Sequence, residues 1–155
     1  MKIKYFSSTS KERLSTCDPY IQKVLNIAIS RSQIDFGIAQ GKRSVEDQKK
    51  YFNEGKSKVN PDNYSKEELP LKGKHITDDV YTLAGAVDIY AYISGKGASW
   101  DENHLCYIAG VIMSIDAELE NKLRWGGNWD MDGEIVSDQG FDDLPHFEMK
   151  NRVKG

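Results

Sequence analysis

The chain is poor in histidine and cysteine, with three of the first and two of the second among 155 residues. The cysteines, Cys17 and Cys106, are too far apart for a Cys-x-x-Cys redox or metal motif, and both are expected to be buried free thiols. Long apolar runs are also missing: nothing approaches the ~18 consecutive apolar residues of a membrane span. The opening MKIKYFSSTSKERLST lacks the apolar stretch of a secretory signal, so a soluble, cytosolic product with no stable membrane association is expected. Nor is there an excess of positive charge. A net charge of −3 and a pI of about 5.6 create no field that recruits nucleic acid or an anionic membrane. The lysines are interleaved with acids rather than gathered in the basic stripe of a nucleic-acid protein. No internal repeat or low-complexity tract is present, which excludes a repeat array.

What is present is an ordinary globular composition, 29% charged and 39% hydrophobic. This length predicts one domain, residues 1–155, burying roughly 68–70% of the unfolded chain's surface. Asp18-Pro19 reads as an N-cap and first helical position, opening a helix to about Ser32 with Ile21, Val24, Leu25, Ala28 and Ile29 as its core stripe. Ile34, Phe36 and Ile38 alternate in a strand from Gln33 to Gln40. Ser44 caps a helix that Gly55 ends. Residues 56–74, with two prolines and many charges, read as a surface loop. Ala86 to Ile93 is a strand, and Asp101 caps a helix to about Asn121 that buries Leu105, Ile108, Ala109, Ile112 and Met113. Short strands at 122–125 and 145–149 follow. This order predicts an α+β domain with a small, mostly antiparallel sheet.

His75, Asp88 and His146, in KGKHIT, LAGAVDIY and DDLPHFEM, are the residues most suggestive of chemistry. Two imidazoles and one carboxylate can hold a Zn²⁺ ion with one position left to water, the arrangement of a hydrolytic site rather than a closed structural one. The plainer alternative is a scatter of surface groups. Alternation puts His146 and Glu148 on one face, so Glu148 is a candidate partner for a ligand imidazole, with Phe147 pointing to the core. A hydrolytic site needs a base. Asp143 and Asp142 both stand near His146, and a bend at Pro145 would be needed to bring Asp143 to the same ion. Gln40-Gly41-Lys42-Arg43-Ser44 leaves a strand and enters a helix, where Arg43 could bind a substrate carboxylate or an oxyanion. Trp125 and Trp129 flank a glycine turn and are candidate pocket walls, against a packing role. Asp130, Asp132 and Asp138 have a calcium-loop flavour, without the full twelve-residue pattern.

Taken together, QGKRS, KHIT…GAVD and DLPHFE resemble the zinc-dependent L-alanyl-D-glutamate peptidases of bacteriophage endolysins, relatives of the D-Ala-D-Ala carboxypeptidases. The likeness runs over most of the chain and includes DPYIQKV, AYISGK and RWGGNW. It implies the fold shared by D-Ala-D-Ala peptidases and hedgehog-like domains. It implies one zinc on His75, Asp88 and His146, Asp143 as base, and Arg43 at the substrate; beside these, Gln40, Ser44, Trp125 and Trp129 are further candidate substrate contacts. The implied reaction is hydrolysis of the L-Ala–D-Glu bond of the peptidoglycan stem peptide by a monomer; a D-Ala-D-Ala carboxypeptidase and a non-catalytic wall-binding module are the alternatives. The enzyme would collect in the host cytoplasm and reach the periplasmic peptidoglycan after a holin opens the membrane. One departure stands out. Twelve residues separate His75 from Asp88 where the family usually has six, which makes Asp78 and Asp79 rival ligands.

Overall fold

The structure is a computed structural model that describes residues 4–134 and 142–155. Its elements are, in order, helices α1 (Ser8–Leu14) and α2 (Pro19–Arg31), strand β1 (Asp35–Gln40), helices α3 (Val45–Asn53) and α4 (Leu69–Lys72), strands β2 (Ala86–Ile93) and β3 (Gly97–Ser99), helix α5 (Glu102–Glu118), and strands β4 (Leu123–Gly126) and β5 (Asp143–Met149). The strands form one five-stranded sheet in the order β1-β2-β5-β4, with β3 on β2, and every strand pair is antiparallel. This is the α+β architecture expected from the order of patterns in the sequence.

Helix α2 starts where Asp18 accepts the Tyr20 N–H, at 2.8 Å, and Pro19 loses nothing at a position with no helical N–H bond to make. Its stripe of Ile21, Val24, Leu25, Ala28 and Ile29 is buried and packs with α5 and with the inward residues of the sheet, Ile38, Val87, Ile89, Leu123, Phe147 and Met149. Helix α5 is capped by Asp101 and stops at Glu118, short of the expected Asn121, which instead takes a left-handed φ of 53°. Met113 and Cys106 lie beside the α5 stripe rather than in it and are half-buried, so the expected burial of Cys106 is corrected. Cys17 is buried, and burial pushes its thiol up to about 12.

Four elements are additional to the sequence reading. Helix α1 covers β1, with Ser10 Oγ accepting the Ile38 N–H (3.0 Å) and Arg13 donating to the Ile38 carbonyl (2.9 Å), so the side chains of a helix satisfy an edge strand. Strand β3 folds back on β2 through a turn with Gly95 and Gly97 at positive φ. The 56–74 segment carries a 3-10 turn (Pro61–Asn63) and α4, and Gln48 ties it down by donating to Ser57 Oγ and the Val59 carbonyl.

Candidate active site and metal centre

One face of the sheet is core and the other opens on a cleft of about 980 Å³. Strand register decides which side chains reach it. Asp88 on β2 lies opposite His146 on β5, so both project from the same face as cross-strand neighbours. The flanking Val87, Ile89 and Phe147 point into the core and are fully buried. His75 arrives from the strap after α4. Its carbonyl accepts the Arg43 N–H at 2.9 Å, and the preceding Lys74 carbonyl accepts the Gly85 N–H at 2.8 Å.

Three donor atoms converge there. His75 Nε2 is 3.2 Å from His146 Nδ1 and 3.3 Å from Asp88 Oδ1, and His146 Nδ1 is 3.0 Å from the same oxygen. A tetrahedral zinc with bonds of about 2.0–2.1 Å separates its ligand atoms by about 3.3 Å, so the triangle has the size of one face of such a site. The far side of each ring explains which nitrogen points inward. His75 Nδ1 donates to the Gly41 carbonyl at 2.6 Å, a group that can only accept, which leaves Nε2 bare in the neutral ring. Burial lowers the His75 pKa and keeps that ring neutral. His146 Nε2 donates to Glu148 Oε1 at 2.9 Å and turns Nδ1 to the triangle. The donor set therefore fits a metal ion, and His75, Asp88 and His146 are the group of this kind among the described residues. Asp78 is occupied otherwise: its carboxylate accepts the N–H groups of Val80 and Tyr81 and closes the inserted turn.

Supporting charges surround the triangle. Arg43 donates to Asp88 Oδ2 (3.0 Å), Gln40 Oε1 (2.7 Å) and Gln48 Oε1 (2.9 Å), and its guanidinium lies 4.6 Å from the Tyr51 ring centroid. Asp88 thus offers one oxygen to the arginine and the other to the triangle. Burial alone would raise the Asp88 pKa, but the two imidazoles outweigh it and hold the carboxyl well below its usual range. Glu148 accepts from Lys74 Nζ at 2.7 Å and Arg124 Nη2 at 2.9 Å besides His146. Burial opposes the His146 charge, yet the bonds to Asp88 and Glu148 raise its pKa to about 10 in the metal-free protein. Asp143 Oδ2 stands 3.9 Å from His146 Nδ1, and burial above all pushes its carboxyl up to about 6. It gets there through a bulge rather than the expected bend at Pro145 alone. Trp125 pairs with Phe147 but the next residue, Gly126, pairs with Asp143, and a Cβ at Gly126 would collide with the Asp143 carbonyl.

Residues 1–150 match the family model described as phage L-alanyl-D-glutamate peptidase. The chain belongs to that family. It is 31% identical over 147 residues to the L-alanyl-D-glutamate peptidase of Escherichia phage T5, a match covering 93% of this chain and 96% of the relative. The crystal structure of the L-Ala D-Glu endopeptidase ChiX from Serratia marcescens shares the fold, with a TM-score of 0.65 over 94% of this chain and 90% of that one at 22% identity.

Within this peptidase of the phage family, the remaining candidates take different places. Gln40, Arg43, Trp129, Asp142 and Asp143 line the cleft. The Trp129 and His146 ring centroids are 5.5 Å apart, and the Arg124 guanidinium lies 5.0 Å from the Trp129 centroid. Ser44 caps α3 by accepting the Asp47 N–H. Trp125 is buried, stacks on Phe147 and donates to the Leu144 carbonyl, because alternation along β4 sends Arg124 to the cleft and Trp125 to the core. Asp130 and Asp132 are exposed and accept N–H groups of their own turn, while Asp138 lies outside the described residues. Gln48, Lys74 and Arg124 were not singled out in the sequence. Only the position of Lys74, directly before His75, could have flagged one of them.

Proposed function

We propose that the peptidase holds one Zn²⁺ on His75 Nε2, Asp88 Oδ1 and His146 Nδ1 and hydrolyses the L-Ala–D-Glu bond of peptidoglycan stem peptides. The observation that carries this reading is the convergence of two imidazole nitrogens and one carboxylate oxygen in a cleft of a phage peptidase. When bound, zinc supplies Lewis acidity and an acidified water. Asp143, ionised at neutral pH with its carboxyl at about 6, takes the proton of the attacking water and returns it to the amine of the departing D-glutamate. Arg43 fixes Asp88 through Oδ2 and adds positive charge beside the developing oxyanion. Gln40 and Trp129 border the substrate path; Ser44 and Trp125 serve it indirectly, by capping α3 and by packing β5.

Residues 1–155 act in this reading as one catalytic domain and as a monomer. The product collects in the host cytoplasm and meets periplasmic peptidoglycan once a holin has permeabilised the membrane. Mass spectrometry of digested muropeptides tests the bond directly. New N-termini at D-glutamate are expected, whereas release of D-alanine would replace this reading with a carboxypeptidase, and no cleavage would leave a binding module. Lysis that persists in EDTA would reject the metal mechanism.

A further inference from the structure

The cleft has two chemically different ends along β2. Toward residue 85 lysines gather: Lys56 (paired with Glu54), Lys58 and Lys72 line it, Val59 lies beside Gly73, and the Lys74 carbonyl accepts the Gly85 N–H. Beyond the cleft, toward residue 92, the same face of the sheet is aromatic. Tyr90 and Tyr92 follow Asp88 at two-residue steps, so they share its face of the sheet, while Ile89 and Ala91 are buried behind them. Trp100, which borders the cleft, comes off β3 beside Tyr90 at a centroid distance of 6.2 Å. Tyr92 is 46% and Trp100 56% exposed, so both offer ring surface to solvent beside the cleft. Tyr90 lies along the sheet rather than standing off it. Its register partner is Gly37, and a Cβ there would overlap the tyrosine ring and hydroxyl.

We propose that Tyr90, Trp100 and Tyr92 form a subsite for the glycan of the substrate, with the muramic acid ring that bears the stem peptide stacked against Trp100 and Tyr90. This rests on the L-Ala–D-Glu reading of the site. In that substrate the scissile carbonyl belongs to L-alanine, which is joined through one lactyl unit to the sugar. Two residue-like units span about 7 Å when extended. Side chains two residues apart on a strand are separated by about 6.7 Å, so a carbonyl at the level of Asp88 puts the sugar at the level of Tyr90 and its neighbour toward Tyr92. The apolar CH face of a pyranose suits flat aromatic surfaces that keep one polar edge. The leaving segment carries the free carboxylates of the stem peptide, and it suits the lysine end. Charge therefore assigns the direction of the substrate.

The test compares two substrates, a disaccharide-tripeptide muropeptide and the same tripeptide without sugar, for the wild type and for Trp100→Ala and Tyr92→Ala. The wild-type kcat/KM should favour the muropeptide by about ten-fold or more, and each variant should shrink that ratio, Trp100→Ala by about ten-fold, mainly through KM. A wild-type ratio near one, or variants that slow both substrates equally, would overturn the subsite. Calorimetric titration with the disaccharide-L-alanine product, against L-alanine alone, reads the subsite without turnover; equal binding of the two also overturns it. Cleavage at another bond, with sugar-dependent binding that Trp100→Ala removes, would defeat the bond assignment and leave the glycan subsite standing.

Discussion

Replacing Glu148 by glutamine probes the part of the site that the triangle of donors does not reveal by itself. The carboxylate is buried and accepts from three donors at once: His146 Nε2 (2.9 Å), Lys74 Nζ (2.7 Å) and Arg124 Nη2 (2.9 Å). An ionised carboxylate offers about four lone-pair sites; a glutamine offers two and puts an NH₂ where a cation or an imidazole N–H now stands. At least one donor must lose its acceptor. Breaking a buried ion pair typically costs about 3–5 kcal/mol. Lys74 keeps the Met149 carbonyl at 2.7 Å, and the Arg124 side chain, 34% exposed, can turn to water. The expected loss of folding stability is therefore smaller, about 1–3 kcal/mol. The effect on metal is the sharper one. Without a carboxylate to fix its tautomer, His146 presents Nδ1 less often, and zinc affinity should fall about 10–100-fold. Competition with a chromophoric chelator measures this, alongside thermal unfolding of the metal-free protein. A folded Glu148→Gln protein that binds zinc within about two-fold of the wild type would refute the role given to Glu148.

Other outcomes follow from the same geometry. His146→Ala and Asp143→Ala should each lower turnover by at least about 100-fold, but elemental analysis should find zinc lost only from the first; an active Asp143→Ala beside a dead Asp142→Ala would move the base by one residue. Because burial raises the Asp143 carboxyl to about 6, the proposed base is charged above that pH, and kcat/KM should decline as pH falls through about 6. A profile flat down to pH 5 would exclude Asp143 as the base. The metal-free His146 holds its proton up to about pH 10, so zinc binding at pH 8 should release close to one proton and tighten about ten-fold per pH unit below 10. Calorimetry in buffers of different ionisation enthalpy would show this, and zero release would contradict it.

Much of the scaffold was legible because its signals are local. The Asp18-Pro19 cap, the α2 stripe and the alternation in β2 each depend on neighbours within a few residues. The shared face of His146 and Glu148 is legible for the same reason, since the two-residue period of a strand needs no partner. Helix α1 was missed because STSKERL has little apolar periodicity; its capping to Ser7 and its bonds to β1 hold it in place. Trp125 and Trp129 looked equivalent beside one glycine turn, yet one belongs to a strand whose alternate residues are core and the other follows the turn into the cleft.

By itself the order of residues determined which groups were chemically capable of binding a cation and which short stretches would coil or extend, because those properties reside in side-chain type and near-neighbour sterics. Long-range pairing settled the rest. Asp88 meets His146 only because β2 and β5 pair in one register, and a slip of one residue would turn one of them into the core. The single carboxylate shared between Arg43 and the donor triangle, and the bulge that brings Asp143 beside His146, likewise depend on pairing between separate segments. Local sequence carries no term for such contacts; they exist once burying α2, α5 and the inner sheet face has chosen a single arrangement of the strands.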